Sequence, residues 1–120
     1  MKLTNEAKRD ILDLVLSLIA AISDIEYQKR VWIRGEGPEC DDFDETCCHF
    51  FDDGDPVIKH YKDYGITENQ HHLLVKFRDE FRAFSRKHDL PEEFIHTPEW
   101  KKIMNRATEV LKVFSYTARG

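Results

Sequence analysis

The sequence predicts an all-α fold, a single compact domain over residues 1–120 with about five to six helices in an irregular bundle. Apolar residues recur at three- and four-residue spacing in several separate stretches, as the helical period requires. Capping signatures precede those stretches. No Asn-Gly or Asp-Gly turn joins two alternating apolar runs, as a β-hairpin would need. With 41% hydrophobic and 12% aromatic residues, a chain of 120 residues can build one core without a disulfide staple.

Thr4 or Asn5 caps the first helix, over Leu3 to Ile22, with Ile11, Leu14, Val15, Leu18 and Ile22 on one stripe. Leu12, Leu16 and Ile19 widen that stripe, so the helix is expected to be central and contacted from two sides. Ser23 and Glu26 stand at capping-box spacing and predict a second helix toward Ile33, although Val31 and Ile33 beside Trp32 also suit a short strand. Gly35-Glu36-Gly37-Pro38 is a breaker. Past it, Phe43, Cys47, Phe50 and Phe51 predict an amphipathic helix starting at Asp42. Asp55-Pro56 reads as the cap and first residue of a separate short helix through Val57, Tyr61 and Tyr64, stopping at Gly65.

Thr67 and Gln70 predict a capping box in front of Leu74, Phe77, Phe81 and Phe84. Asp89-Leu90-Pro91 turns into a helical fragment. Thr97-Pro98-Glu99 opens a last helix with Trp100, Ile103, Met104, Ala107, Val110, Leu111 and Phe114 on one stripe, ending near Ser115.

The longest apolar run, Leu14 to Ile22, is about half of the ~20 residues that a membrane span needs. Charged residues at 6, 8, 9 and 10 interrupt any signal peptide, so a cytoplasmic location is expected. Three cysteines, two of them adjacent, fit a reducing compartment. An acidic chain with pI near 5.6 is unsuited to direct nucleic-acid binding and favours a basic partner. The reading includes no membrane partner and favours a monomer.

The net charge of −5 has an address. Between Arg34 and Lys59 stand Glu36, Glu39, Asp41, Asp42, Asp44, Glu45, Asp52, Asp53 and Asp55, with no Lys or Arg among them. Removing those nine acids from 23 leaves 14 against 18 bases, so a segment of −9 is embedded in a remainder of +4. Asp41 and Asp42 suit a helix N-terminus and Asp55 a cap, each at about 0.5 to 1 kcal/mol. Asp52 and Asp53 are expected near a helix C-terminus, where the macrodipole disfavours them. Glu36, Glu39, Asp41, Asp42, Asp44, Glu45, Asp52 and Asp53 are therefore the candidate electrostatic part of a partner-binding surface. Trp32 is the candidate anchor, with burial in the core as its alternative.

No catalytic motif is present, no metal site is expected, and no cofactor is implied. Cys40, Cys47, Cys48 and His49 have the inventory for zinc, but adjacent cysteines on a helix point about 100° apart. Carboxylates around these thiols oppose thiolate formation. Counting back from Gly54 places His49 and Phe51 where a calcium loop needs oxygen ligands. Two Glu-x-x-His pairs, Glu68/His71 and Glu93/His96, support an alternative reading as an α-helical metal-dependent protein, although His96 lies just before the Thr97-Pro98 break. A second alternative is a non-enzymatic adaptor docking through the Phe77 to Phe84 face.

The run Trp32-Ile33-Arg34-Gly35-Glu36-Gly37-Pro38-Glu39, then Phe43, Phe50-Phe51-Asp52-Asp53 and the Trp100 helix, resembles small cytoplasmic immunity proteins of bacterial toxin systems, particularly contact-dependent growth inhibition. The resemblance covers most of the chain. It implies an antitoxin that binds one cognate toxin C-terminal domain, commonly a nuclease, and blocks its active site or its access to substrate. Such families carry no catalytic motif, so no residue role transfers from them.

Overall fold

The computed structural model describes residues 3–39 and 41–116. All regular structure among them is helical. The elements are α1 (Asn5–Ser23), α2 (Ile25–Tyr27, continued by a π-helical segment Gln28–Ile33), α3 (Phe43–Lys59), α4 (Glu68–Ser85), α5 (Pro91–Phe94) and α6 (Pro98–Val113), with a 3-10 turn at Tyr61–Tyr64. Helix α1 lies against α6 and α3, and α4 packs on α6 and α3. No helix among the described residues is long and apolar enough to cross a membrane.

The caps follow local chemistry. Thr4 accepts from Ala7 N at 3.0 Å, Thr97 from Trp100 N at 3.2 Å, and Thr67 with Gln70 forms the reciprocal capping box expected of that pair. The second helix differs from expectation in its cap. Asp24, not Ser23, accepts from the amides of Glu26 and Tyr27, while the Ser23 hydroxyl turns back to the Ala20 carbonyl. A carboxylate outcompetes a hydroxyl for those donors because its bonds are charge-assisted. Val31 to Ile33 is helical, and Val31 and Trp32 face inward.

The largest departure is α3, which runs through Asp55-Pro56 without a break. Proline inside a helix costs about 3 kcal/mol. Here Phe43, Thr46, Phe50, Gly54, Val57 and Ile58 form one uninterrupted buried stripe, and ending the helix at Asp55 would turn its last members out of register. Burying Val57 and Ile58 at about 1.5 to 3 kcal/mol each outweighs the missing bond. The turn after α3 ends at Gly65, whose φ of +70° is the left-handed stop that the sequence predicts.

The core centres on Trp100, which is fully buried. Its ring lies 4.8 Å from Phe94, 5.2 Å from Phe84, 5.9 Å from Phe43, 6.1 Å from Trp32 and 6.3 Å from Phe81, mostly tilted or edge-on. Five helical elements thus meet in one aromatic cluster, with each good pair adding about 0.5 to 1.5 kcal/mol beyond its burial. Phe77, Phe81 and Phe84 belong to this core, so the face offered above for adaptor docking is already covered.

Candidate functional site: an acidic connection and an acidic helix face

Arg30, in α2, sends both guanidinium nitrogens to Glu39, at 2.8 and 2.7 Å. It also donates to the Glu36 carbonyl at 3.2 Å, while its own carbonyl accepts from Glu36 N at 2.9 Å. The chain between them must therefore fold tightly over the guanidinium. Gly37 makes this possible, because its φ is +97° and a Cβ there would collide with the Arg30 guanidinium. The hydrogen bonds from Arg30 hold the Glu39 carboxyl down at about 2. Both side chains keep about a third of their surface in water, 38% and 35%, so the pair orders the loop more than it stabilises the fold. Glu36 pairs at 3.2 Å with Arg34, at an exposed position.

Asp41 has a different task. Its Oδ2 accepts from the Tyr27 hydroxyl and the Thr46 hydroxyl, both at 2.9 Å, with the Trp32 indole N–H at 3.4 Å. Burial first, and Asp41 second, push the Tyr27 hydroxyl well above its ordinary value, so it donates throughout the accessible pH range. Asp41 thus ties α2 to the first turn of α3. Asp42 caps that turn, accepting from Glu45 N at 2.8 Å, as its position predicts.

Trp32 is 8% exposed and sits within the aromatic cluster, which corrects its candidacy as a surface anchor. A ring with aromatic neighbours on both sides and its N–H directed at a carboxylate gains more from burial than from exposure. Asp55 is not a cap. Its carboxylate meets Arg82 and Arg78 of α4, the latter at 3.5 Å without hydrogen-bond geometry, and Arg82 also lies over the Phe51 ring at 4.6 Å.

Four acids of the candidate surface have neither an ion pair nor a side-chain hydrogen bond among the described residues: Asp44, Glu45, Asp52 and Asp53. At 100° per residue Asp44, Glu45 and Asp52 fall on the outward half of α3, opposite Phe43, Phe50 and Gly54. All three are exposed, whereas Asp53 turns to the flank and is half-buried. Because α3 continues to Lys59, Asp52 and Asp53 stand clear of its last turn, and the expected macrodipole penalty does not apply. Asp44 shares a shallow groove with Arg82 and Arg86, so the most negative part of the face lies at Glu45 and Asp52.

Cysteine chemistry gains nothing here. Burial, then Asp44, pushes the Cys47 thiol up to about 12, while Cys48 is exposed and Cys40 lies outside the described residues. Glu68 accepts from Tyr61 at 2.7 Å and His71 stacks on the Tyr61 ring at 3.7 Å. His96 lies in the turn after α5, and among the described residues no three His, Cys, Asp or Glu side chains gather where a metal ion could be held.

One organising residue escapes sequence reasoning. Gln28 is fully buried, donating through Nε2 to the Ala21 and Ile22 carbonyls at 3.0 and 2.9 Å and accepting the Trp100 indole N–H at 2.8 Å. It satisfies the Ile22 carbonyl at the end of α1, adds a second donor to the Ala21 carbonyl that the Asp24 N–H already meets at 3.3 Å, and pairs the one polar atom of the central tryptophan. The available signal was a glutamine within the apolar flank of a short helix. The chain matches no protein-family model, no curated protein and no solved structure.

Proposed function

We propose that the protein is a non-enzymatic immunity protein that binds a cognate toxin C-terminal domain, a basic nuclease, through the outer face of α3. The observation that carries this reading is the contrast in charge matching. Arginines or hydroxyls meet Glu36, Glu39, Asp41 and Asp55, whereas Glu45 and Asp52 point outward on a rigid helix with no cation against them among the described residues. A nuclease binds phosphate in a basic cleft, and a carboxylate-bearing helix presents that cleft with a competing anionic surface. Fixing the carboxylates on a helix limits the side-chain ordering that binding must impose. Sequence resemblance to toxin-immunity proteins points the same way.

The test is co-expression with the toxic C-terminal domain encoded by the neighbouring gene, followed by affinity measurement. Native protein should co-purify at one-to-one stoichiometry and suppress nuclease activity. The double variant Glu45→Lys/Asp52→Lys should weaken the complex by at least about tenfold, with a matching loss of salt dependence. Undiminished affinity in that variant would remove the α3 face from the mechanism, and absence of any complex would remove the immunity reading itself.

A further inference from the structure

Leu14 breaks the burial pattern of α1. Its neighbours Val15 and Leu16 are 0% and 4% exposed, whereas Leu14 is 48% exposed although it belongs to the longest apolar run in the chain. At 100° per residue, Asp10, Leu14, Ser17 and Ala21 share one face, turned away from the buried Val15, Ile19 and Ile22. That face contributes to an open groove of about 930 Å³, which Tyr27 and Asp41 also line, as do Phe114 and Tyr116 at the end of α6.

Four aspartates line this groove, Asp10, Asp13, Asp24 and Asp41, and among the described residues no Lys or Arg does. None of Asp10, Asp13 and Asp24 has an ion pair among the described residues. Asp41 receives the Tyr27 hydroxyl without losing its charge, since a neutral donor leaves a carboxylate anionic. The result is an apolar patch at Leu14, Leu18 and Ala21 with four negative charges around it. A purely apolar partner would leave those carboxylates desolvated, and an acidic one would be repelled.

We infer that this groove binds a basic amphipathic helix of another protein, its apolar stripe on Leu14, Leu18 and Ala21 and its lysines or arginines against Asp10, Asp13 and Asp24. Strand addition has no sheet edge to use among the described residues, and an apolar patch flanked by aspartates along one helix face matches helix-in-groove recognition. The span from Asp10 to Asp24 is about 21 Å along the helix axis, matching about four turns of a partner helix. Asp44, Glu45 and Asp52 do not line the groove, so this surface is separate from the α3 face and does not rest on the immunity reading.

The experiment uses a fluorescein-labelled helical peptide of leucine and lysine, about 18 residues long, with a scrambled peptide of equal composition as its control. Anisotropy titrations on the full chain should show the amphipathic peptide binding at least about tenfold more tightly than the scrambled one. Asp10→Lys/Asp13→Lys and, separately, Leu14→Asp should each cost about tenfold or more, and both are surface changes that leave the core intact. Asp44→Lys/Glu45→Lys/Asp52→Lys should change affinity by less than about twofold. Equal binding of the scrambled peptide, or loss in the α3 variant instead, would overturn the inference. Sedimentation should give a monomer, and a dimer dissolved by Leu14→Asp would assign the groove to a second copy. Truncation after Tyr116 should leave affinity unchanged, and a gain of about tenfold would assign the groove to the chain's own last residues.

Discussion

The acidic stretch contains two regions that composition alone cannot tell apart. In the connection between α2 and α3, every carboxylate has been given something to hold: Glu36 meets Arg34, Glu39 meets Arg30, Asp41 gathers two hydroxyls and an indole, and Asp42 caps a helix. Along the outer face of α3, Asp44, Glu45 and Asp52 meet no cation among the described residues. The difference is geometric. A loop can close over whatever donors its flanking helices offer, whereas the outward half of a helix is fixed by the half that packs. Charge in the first region therefore serves folding, and charge in the second is left available for a partner.

Four variants separate the two regions, and their effects should fall in order. Gln28→Leu, in the buried helical segment that leads into the connection, strands the Trp100 N–H and the Ile22 carbonyl and leaves the Ala21 carbonyl with the Asp24 N–H alone. Urea denaturation should show a loss of about 3 to 4 kcal/mol. Asp41→Ala removes the common acceptor of Tyr27, Thr46 and Trp32. Thr46 keeps the Asp42 carbonyl as an acceptor and the half-buried Tyr27 can recruit water, so the same measurement should give about 2 kcal/mol.

Glu39→Gln should appear in the pH dependence rather than in a large midpoint shift. The folded carboxyl titrates at about 2, below its ordinary value of 4.5, so its contribution is complete above about pH 4.5 and is lost as pH falls through about 2. Native protein should therefore lose more stability than Glu39→Gln between those limits, and parallel curves would show that the Arg30 pair is energetically silent. Smallest of all, Glu45→Lys/Asp52→Lys should move stability by no more than about 0.5 kcal/mol in either direction. A loss comparable to that of Asp41→Ala would erase the distinction between the two regions.

Much of this was legible from residue order. The threonine caps of α1, α4 and α6, the capping box at Thr67 and Gln70, and the left-handed stop at Gly65 are local devices, and each lies where its signature stands. The buried stripe of α4 at Leu74, Phe77, Phe81 and Phe84 follows from spacing alone. The exceptions share a cause. Asp55-Pro56 carries a good local signal for a new helix, and the long buried stripe of α3 overrides it. Leu14 fits the apolar period of α1, yet no neighbouring element among the described residues covers that side of the helix.

The candidate site was legible as an inventory and not as an arrangement. All nine carboxylates could be counted, but apart from Glu36 beside Arg34 the ones an arginine meets find it far along the chain, Arg30 for Glu39 at 9 positions and Arg82 for Asp55 at 27. Trp32 could have been anchor or core, and the rings of Phe43 and Trp100 beside it make it core.

By itself, then, the sequence determined the helical class, most element boundaries and the concentration of negative charge, because propensity, capping and periodicity act over a few residues. Only the tertiary structure decided which charges are matched, that Gln28 joins three helical elements, and that no element among the described residues covers one side of α1. Ion pairs and buried hydrogen bonds form between groups that folding brings together, and no local rule contains that proximity.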